Sequence, residues 1–160
     1  MSKKIPMTKI YKTLATFFGA GYVPIAPGTA GAFLAAVFVY IWQYLDPGLL
    51  VYGWPLVWVV IVTFFIGVYC TDQLEPAWGK DPSKIVIDEA IGIWISILFI
   101  PVSIYYLLAG FVLFRIFDIW KPLGIRKLEN IKGGWGVMLD DVLAGVYANV
   151  VLQVYMFLTT

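Results

Sequence analysis

Residues 90–114 decide the fold of this chain, and they read AIGIWISILFIPVSIYYLLAGFVLF. The stretch contains no Asp, Glu, Lys or Arg, and it is long enough for one membrane-spanning helix, which needs about 20 apolar residues. Pro101 lies near its middle, and proline disrupts a helix because it removes a backbone hydrogen bond. The stretch therefore predicts either one long span or a hairpin of two helices, 85–100 and 102–120, that turns at Pro101.

The composition indicates a membrane environment. The chain has 160 residues, of which 61% are hydrophobic and 13% are charged, whereas about 25% of the residues in a soluble domain are charged. So few charges exclude a disordered chain, a nucleic-acid binder and most soluble enzymes. The chain has no histidine and a single cysteine, Cys70, which excludes imidazole catalysis and a disulfide framework. We expect an integral membrane protein whose partners are membrane lipids.

Other stretches also lack charged residues, at 13–45, 47–71 and 142–160. The last two each have the length of one span. The first is interrupted by prolines and glycines between residues 19 and 28, so it predicts a short interfacial helix at 9–18, a loop at 19–29 and a span from residue 29 or 30 to 45. The chain is therefore predicted to be an all-α polytopic membrane protein, a single domain over residues 1–160 with about five transmembrane helices.

The positions of the basic residues favour the hairpin over one long helix. If the chain turns at Pro101, all 11 Lys and Arg residues fall on one side of the membrane. Basic residues concentrate on the cytoplasmic side of membrane proteins, so this arrangement predicts a cytoplasmic N-terminus. A single long helix would instead place Lys84 and Arg115 on opposite sides. The hairpin also brings nine of the ten acidic residues to the cytoplasmic side.

Several acidic residues fall at predicted helix ends. Asp88 and Glu89 lie in the first turn of the third helix, Asp118 lies near the end of the fourth, and Asp140 and Asp141 open the fifth. Counted from Pro101, Asp88 and Asp118 are both roughly 20–25 Å from the turn, so they lie at nearly the same depth. Carboxylates that converge in apolar surroundings repel one another unless a cation compensates them. Because Mg²⁺ prefers oxygen ligands, we expect a magnesium site.

Residue types that bind phosphate surround these acids. Lys132, Gly133 and Gly134 lead into the fifth helix, and free backbone N–H groups at a glycine-rich helix start bind anions. Arg115 and Lys121 belong to the same region. Without histidine, and without a cysteine motif for phosphate transfer, the simplest chemistry left is attack by a metal-activated water with a carboxylate as base.

The same residues also allow simpler roles. Acids at a helix start complement the helix dipole, by about 0.3–1 kcal/mol each, and Asp118 has Arg115 and Lys121 three residues away on either side. Glycines make turns, and basic residues contact anionic lipids. A small divalent-cation channel or transporter would use the same acids, but it needs polar groups at mid-membrane. The second and fifth helices offer almost none beyond Thr63 and Gln153.

Four segments together resemble the motifs of the phosphatidylglycerophosphatase A family. They read FGAGYVPIAPGTAG at 18–31, IVIDE at 85–89, FRIFDIWKP at 114–122 and KGGWGVMLDDVLAG at 132–145. They follow the family's order, which makes the combination specific although each segment alone is a weak signal. The chain departs from the family's pattern at Ala32, where the family has serine, so any role of that hydroxyl is lost here.

The resemblance implies an enzyme of the bacterial inner membrane that uses Mg²⁺ to hydrolyse the terminal phosphate of phosphatidylglycerol phosphate, giving phosphatidylglycerol and inorganic phosphate on the cytoplasmic side. The expected catalytic residues are Asp88, Glu89, Asp118 and Asp141. Together with Asp140 they are the expected Mg²⁺ ligands. The expected phosphate contacts are Arg115, Lys121, Lys132, Gly133 and Gly134. The loop expected to close over the headgroup contains Gly21, Pro27, Gly28 and Thr29.

Overall fold

The computed structural model describes residues 5–48 and 53–159, and the regular structure in these ranges is helical. The all-α prediction is confirmed. Residues 49–52, which belong to the predicted second span, and the basic residues Lys3 and Lys4 lie outside the described residues.

The described chain forms long and short helices in the order α1 (Ile5–Ala15), a 3₁₀ turn (Ala20–Tyr22), α2 (Pro27–Leu45), α3 (Trp54–Trp78), α4 (Ile87–Ser96), α5 (Ile104–Trp120), α6 (Ile125–Leu128) and α7 (Gly134–Thr159). Within the described ranges, α2, α3 and α7 are long and apolar enough to cross a membrane. The polytopic membrane prediction is therefore confirmed, whereas the predicted count of five spans is not.

The N-terminal segment is close to its prediction, with shifted boundaries. Helix α1 ends at Ala15 instead of residue 18, because Phe17, Phe18 and Gly19 all take positive φ angles that end a right-handed helix. The predicted loop contains the 3₁₀ turn, and α2 already begins at Pro27. Proline is favoured at the first helical position because its missing N–H would have no partner there.

The hairpin around Pro101 consists of the two helices α4 and α5, as predicted, but both are short. Helix α4 has 10 residues and α5 has 17, which correspond to about 15 Å and 25 Å of helix. The hydrocarbon layer of a bilayer is about 30 Å thick. Helix α4 is therefore long enough for only about half of the layer, which is the physical reason why it does not count as a span.

Helix α4 forms the centre of the molecule. It contacts α2, α3, α5 and α7, and almost all of its side chains are buried, as expected for a helix whose residues after the first turn are nearly all apolar. Small residues allow close approach: the ring of Phe114 occupies the space that a side chain at Gly92 would need. The Trp94 Nε1–H donates to the Ala35 carbonyl at 3.2 Å, which links α4 to α2.

The C-terminal end of α4 finds polar partners on α7. A helix end leaves carbonyl groups without intrahelical partners, and an apolar environment offers no water to satisfy them. The Asn149 amide donates to the carbonyls of Ser96 and Leu98 at 3.2 and 2.9 Å. Gln153 donates to the Leu98 carbonyl at 3.4 Å. Asn149 and Gln153 therefore satisfy carbonyl groups at and just after the end of this buried helix.

We predict that Gly145→Ala destabilises the protein. A Cβ at Gly145 would lie 2.6 Å from the Gly92 carbonyl oxygen, and a backbone atom cannot rotate away, so we expect a loss of about 1–3 kcal/mol in the free energy of unfolding. Without this contact, the same substitution would stabilise the helix by about 1 kcal/mol. Thermal unfolding in detergent, followed by circular dichroism, measures the effect.

The matched control is Val146→Ala, at the neighbouring exposed position, where we expect a change within about 0.5 kcal/mol. A Gly145→Ala variant that is as stable as the parent would show that α4 and α7 do not approach this closely.

Candidate functional site

The start of α4 carries two of the predicted acids. Asp88 and Glu89 lie in its first turn, where the sequence placed them. Asp88 is buried, with 7% of its surface exposed, and its Oδ1 accepts the backbone N–H of Glu89 at 3.1 Å. Val86, the residue just before α4, donates its N–H to the Ala15 carbonyl at 2.9 Å, which anchors the start of α4 to α1.

The acids of α7 lie deeper in their helix than the sequence indicated. Asp140 and Asp141 were expected to open the fifth helix, but α7 begins at Gly134. The reason is a cap from another helix: the Gly134 N–H donates to the carboxylate of Asp72 on α3 at 2.6 Å. Such a long-range cap has no signal in the local sequence, so Asp72 was missed.

Three carboxylates converge where α4 meets α7. One oxygen from each of Asp88, Glu89 and Asp141 lies within 4.8 Å of the others, and oxygens on opposite sides of one divalent cation are roughly 4–5 Å apart. Glu89 Oε2 and Asp141 Oδ2 are buried and have no hydrogen-bond partner among the residues that the structure describes. Unpaired carboxylate oxygens are costly in an apolar site unless a cation compensates them. The donor set therefore fits a divalent cation.

Asp118 and Arg115 extend this cluster onto α5. Arg115 Nη1 lies 2.5 Å from Asp118 Oδ2 and 3.9 Å from Glu89 Oε1. Asp118 is also within electrostatic range of Asp141. Within the described part of the chain, the buried Nε of Arg115 has no acceptor. The guanidinium thus partly neutralises the acids and retains a free hydrogen-bond donor.

Asp140 has a different environment from its neighbour Asp141. Its Oδ2 accepts a hydrogen bond from Lys121 at 2.6 Å, and Lys121 also donates to Glu129 at 2.7 Å. Burial of Lys121 opposes its charged form, but the hydrogen bonds to these two carboxylates outweigh burial and raise the pKa of the ammonium above its ordinary value. Lys121 therefore stays charged at physiological pH and holds Asp140.

The glycine-rich segment that was predicted to contact phosphate lies beside a carboxylate of the protein itself, that of Asp72. The Gly134 N–H already binds Asp72, and a Cβ at Gly133 would also meet the Asp72 carboxylate. Lys132 is exposed beside them. The structure thus places these residues around the cap of α7, and the Gly134 donor is used within the protein.

The predicted headgroup loop reaches the acidic cluster at one point. A Cβ at Gly28 would collide with the Glu89 carboxylate and lie 3.3 Å from Arg115 Nη1. Pro27, Gly28 and Thr29 form the first turn of α2, whose free N–H groups form the positive end of the helix dipole. Gly21 packs instead against the backbone carbonyl of Lys84.

The structure combines helices that can span a membrane with a buried carboxylate cluster beside an arginine. These features define an integral membrane protein with an acidic site able to hold a metal ion. The sequence model of the Phosphatidylglycerophosphatase A family matches residues 13–156. The chain therefore belongs to the phosphatidylglycerophosphatase A family, as its four motifs predicted. It is a phosphatase, a phosphoric monoester hydrolase.

Curated relatives support this assignment over most of their length. A protein named Phosphatidylglycerophosphatase A from Escherichia coli is 40% identical, over 89% of this chain and 81% of that protein. A protein of the same name from Haemophilus influenzae is 37% identical, over 94% of this chain and 91% of that protein. A Bacteroides thetaiotaomicron protein named "Putative phosphatidylinositol-3-phosphatase" is 47% identical, over 88% of this chain and 90% of that protein. No solved structure matches the chain.

We predict that Lys121→Met destabilises the protein. The Asp140 side chain is only 8% exposed, and removal of one partner from a buried ion pair costs about 3 kcal/mol or more. Chemical denaturation in detergent measures the loss. Lys127→Met removes an equal charge from an exposed position, and we expect it to be neutral within about 0.5 kcal/mol. Equal stability of the two variants would argue against the ion pair.

Proposed function

We propose that this chain hydrolyses the terminal phosphate monoester of phosphatidylglycerol phosphate at the cytoplasmic face of a bacterial inner membrane, as a single integral membrane domain. The observation that carries the proposal is the cluster of Asp88, Glu89 and Asp141 with unpaired oxygens, beside a free arginine donor. Family membership and two relatives named for this activity support the substrate.

The proposed cofactor is Mg²⁺, held by Asp88, Glu89 and Asp141. When bound, this ion offsets the negative charge of the carboxylates and the phosphate and makes a water molecule more acidic. Asp118 is held by Arg115 and interacts with Asp141, so it adds a further carboxylate to the cluster on the α5 side. Asp140 faces Lys121, so we assign it to the positioning of Asp141 and not to direct contact with the ion.

We assign the substrate phosphate to Arg115 and the first turn of α2. The unpaired Nε of Arg115 can donate to a phosphate oxygen while Nη1 remains with Asp118, and guanidinium groups bind phosphates strongly because their donors are fixed in one plane. The N–H groups near Gly28, which lies against the same arginine, supply further donors. Lys132 is exposed and is proposed to attract the anionic headgroup from the cytoplasm.

In the proposed reaction, water attacks phosphorus while a carboxylate of the cluster takes its proton. The bond between phosphorus and the glycerol oxygen breaks, the glycerol oxygen leaves with a proton, and inorganic phosphate is released. The buried position of the carboxylates limits the access of bulk water to the site.

The test is phosphate release from phosphatidylglycerol phosphate in mixed micelles, with Mg²⁺ or with EDTA. We expect release that needs Mg²⁺ and falls roughly 100-fold or more in Asp141→Asn and Asp118→Asn, because each variant removes a charge from the site. Asp81→Asn removes the same charge from an exposed position and should keep near-normal activity.

Two results would overturn this proposal. Release that persists in EDTA and in both site variants would mean that the carboxylates are structural. No release from any lipid phosphate, combined with Mg²⁺ flux into liposomes containing the protein, would favour the cation channel or transporter instead.

Phosphatidylinositol 3-phosphate is a second candidate substrate, because the 47% identical relative is named for a phosphatidylinositol-3-phosphatase activity. The phosphate of phosphatidylinositol 3-phosphate is attached to a rigid ring, whereas that of phosphatidylglycerol phosphate ends a flexible arm. At Gly28 the backbone of α2 lies against the side chains of Glu89 and Arg115, so a phosphate bound there passes between α2 and these side chains. A flexible arm can follow such an approach more easily than a rigid ring.

We therefore predict a kcat/KM for phosphatidylglycerol phosphate at least about tenfold above that for phosphatidylinositol 3-phosphate, equivalent to about 1.4 kcal/mol of discrimination. Both lipids should carry the same acyl chains and be measured in the same micelles. The reverse order of kcat/KM would assign this chain the activity named for the Bacteroides relative.

A further inference from the structure

One face of α5 carries an apolar stripe that the reaction does not use. Its members recur every three or four residues, which places them on one side of the helix. Their side chains line cavities on the molecular surface. The members of this stripe are Tyr105, Ala109, Val112, Ile116 and Ile119.

Two cavities follow this stripe and meet at Val112. The larger cavity, about 690 Å³, lies between α5 and α7, and Val151, Leu152 and Tyr155 form its second wall. The shallower cavity, about 410 Å³, continues along α5 past Ile116. Val112 lines both cavities, so they adjoin there along the same face of α5, and we call the two together the α5 groove.

The α5 groove passes beside the candidate phosphate site. Arg115 lines its shallower part, and the same side chain contacts Asp118 and Glu89 through Nη1. The stem of an arginine can cover apolar surface while its guanidinium binds an anion. From Arg115 to Tyr105 the helix rises about 15 Å, which is half of the roughly 30 Å hydrocarbon layer. The part of the groove between Arg115 and Tyr105 thus has the length of one leaflet.

We propose that the α5 groove holds an acyl chain of the lipid phosphate substrate, with the phosphate at Arg115 and the chain passing Val112 and Ala109 towards Tyr105. This inference rests on the proposed function. A bilayer is already apolar, so the groove gains little hydrophobic free energy from the chain. Its effect is to orient the lipid, so that the phosphate reaches the carboxylates in a reactive position.

The test compares a long-chain lipid substrate with its deacylated, water-soluble headgroup phosphate. Ala109→Trp fills the groove, and we expect kcat/KM for the long-chain lipid to fall roughly tenfold, because a displaced substrate reacts slowly. Hydrolysis of the deacylated substrate should change less than about twofold, because its binding uses only polar contacts. Val112→Trp, at the junction of the two cavities, should behave in the same way.

The matched control is Leu108→Trp, which adds a similar bulk at the neighbouring position. Leu108 is 57% exposed and does not line the groove. We expect activity near that of the parent on both substrates. Equal losses of kcat/KM in Leu108→Trp and Ala109→Trp, or equal losses on both substrates, would overturn the proposal that the α5 groove holds an acyl chain. A parent protein that hydrolyses neither substrate would instead overturn the proposed function.

A second measurement does not depend on activity. A lipid phosphate with a photoreactive diazirine in the middle of one acyl chain should crosslink to α5 and α7 residues of the groove, and excess unlabelled substrate should reduce that crosslinking. Crosslinks spread evenly over α2, α3 and α7, and unaffected by competitor, would mean that the groove is covered only by ordinary bilayer lipid or by another helix.

Discussion

The mutual repulsion of buried carboxylates is the constraint on which this structure depends. Asp88, Glu89 and Asp141 bring their oxygens within 4.8 Å of one another in surroundings that offer little water. Their charges need compensation, and the protein itself supplies only part of it, through Arg115 beside Glu89. The remaining unpaired oxygens are what makes the site suited to a divalent cation and, with it, to a substrate phosphate.

A short helix makes this concentration of charge possible. Helix α4 carries Asp88 and Glu89 in its first turn and ends after about 15 Å, so both of its ends need polar partners that other helices must provide. Asn149 of α7 satisfies the carbonyl end. Helix α7 also contributes Asp141, which lies beside the acids at the other end of α4. Contacts with α7 therefore fix the position of α4 and complete the acidic cluster at its start.

Arg115 on α5 and Lys121, the residue that follows α5, have separate tasks. Lys121 is saturated by Asp140 and Glu129 and holds α7 in position. Arg115 keeps an unused donor at the cluster and also lines an apolar groove. A single arginine thus connects the polar site with the apolar surface of α5. This placement suits a reaction in which the phosphate and the acyl chains of one molecule need different environments.

Much of the fold follows from the sequence alone. The uncharged stretches at 13–45, 47–71 and 142–160 predict the long helices α2, α3 and α7, because charges are excluded from the bilayer core, and Pro101 determines that α4 and α5 are separate. The four motifs determine the family. The placement of Asp88 and Glu89 in the first turn of a helix also needed only local signals.

The tertiary structure decided what depends on contacts between distant segments. The Asp72 cap moves the start of α7 to Gly134, so Asp140 and Asp141 lie inside the helix and not at its start. Packing of α4 at the centre separates Asp141, which faces the cluster, from Asp140, which faces Lys121. Neighbouring residues on a helix point in directions about 100° apart, and only the surrounding helices determine which direction meets the site.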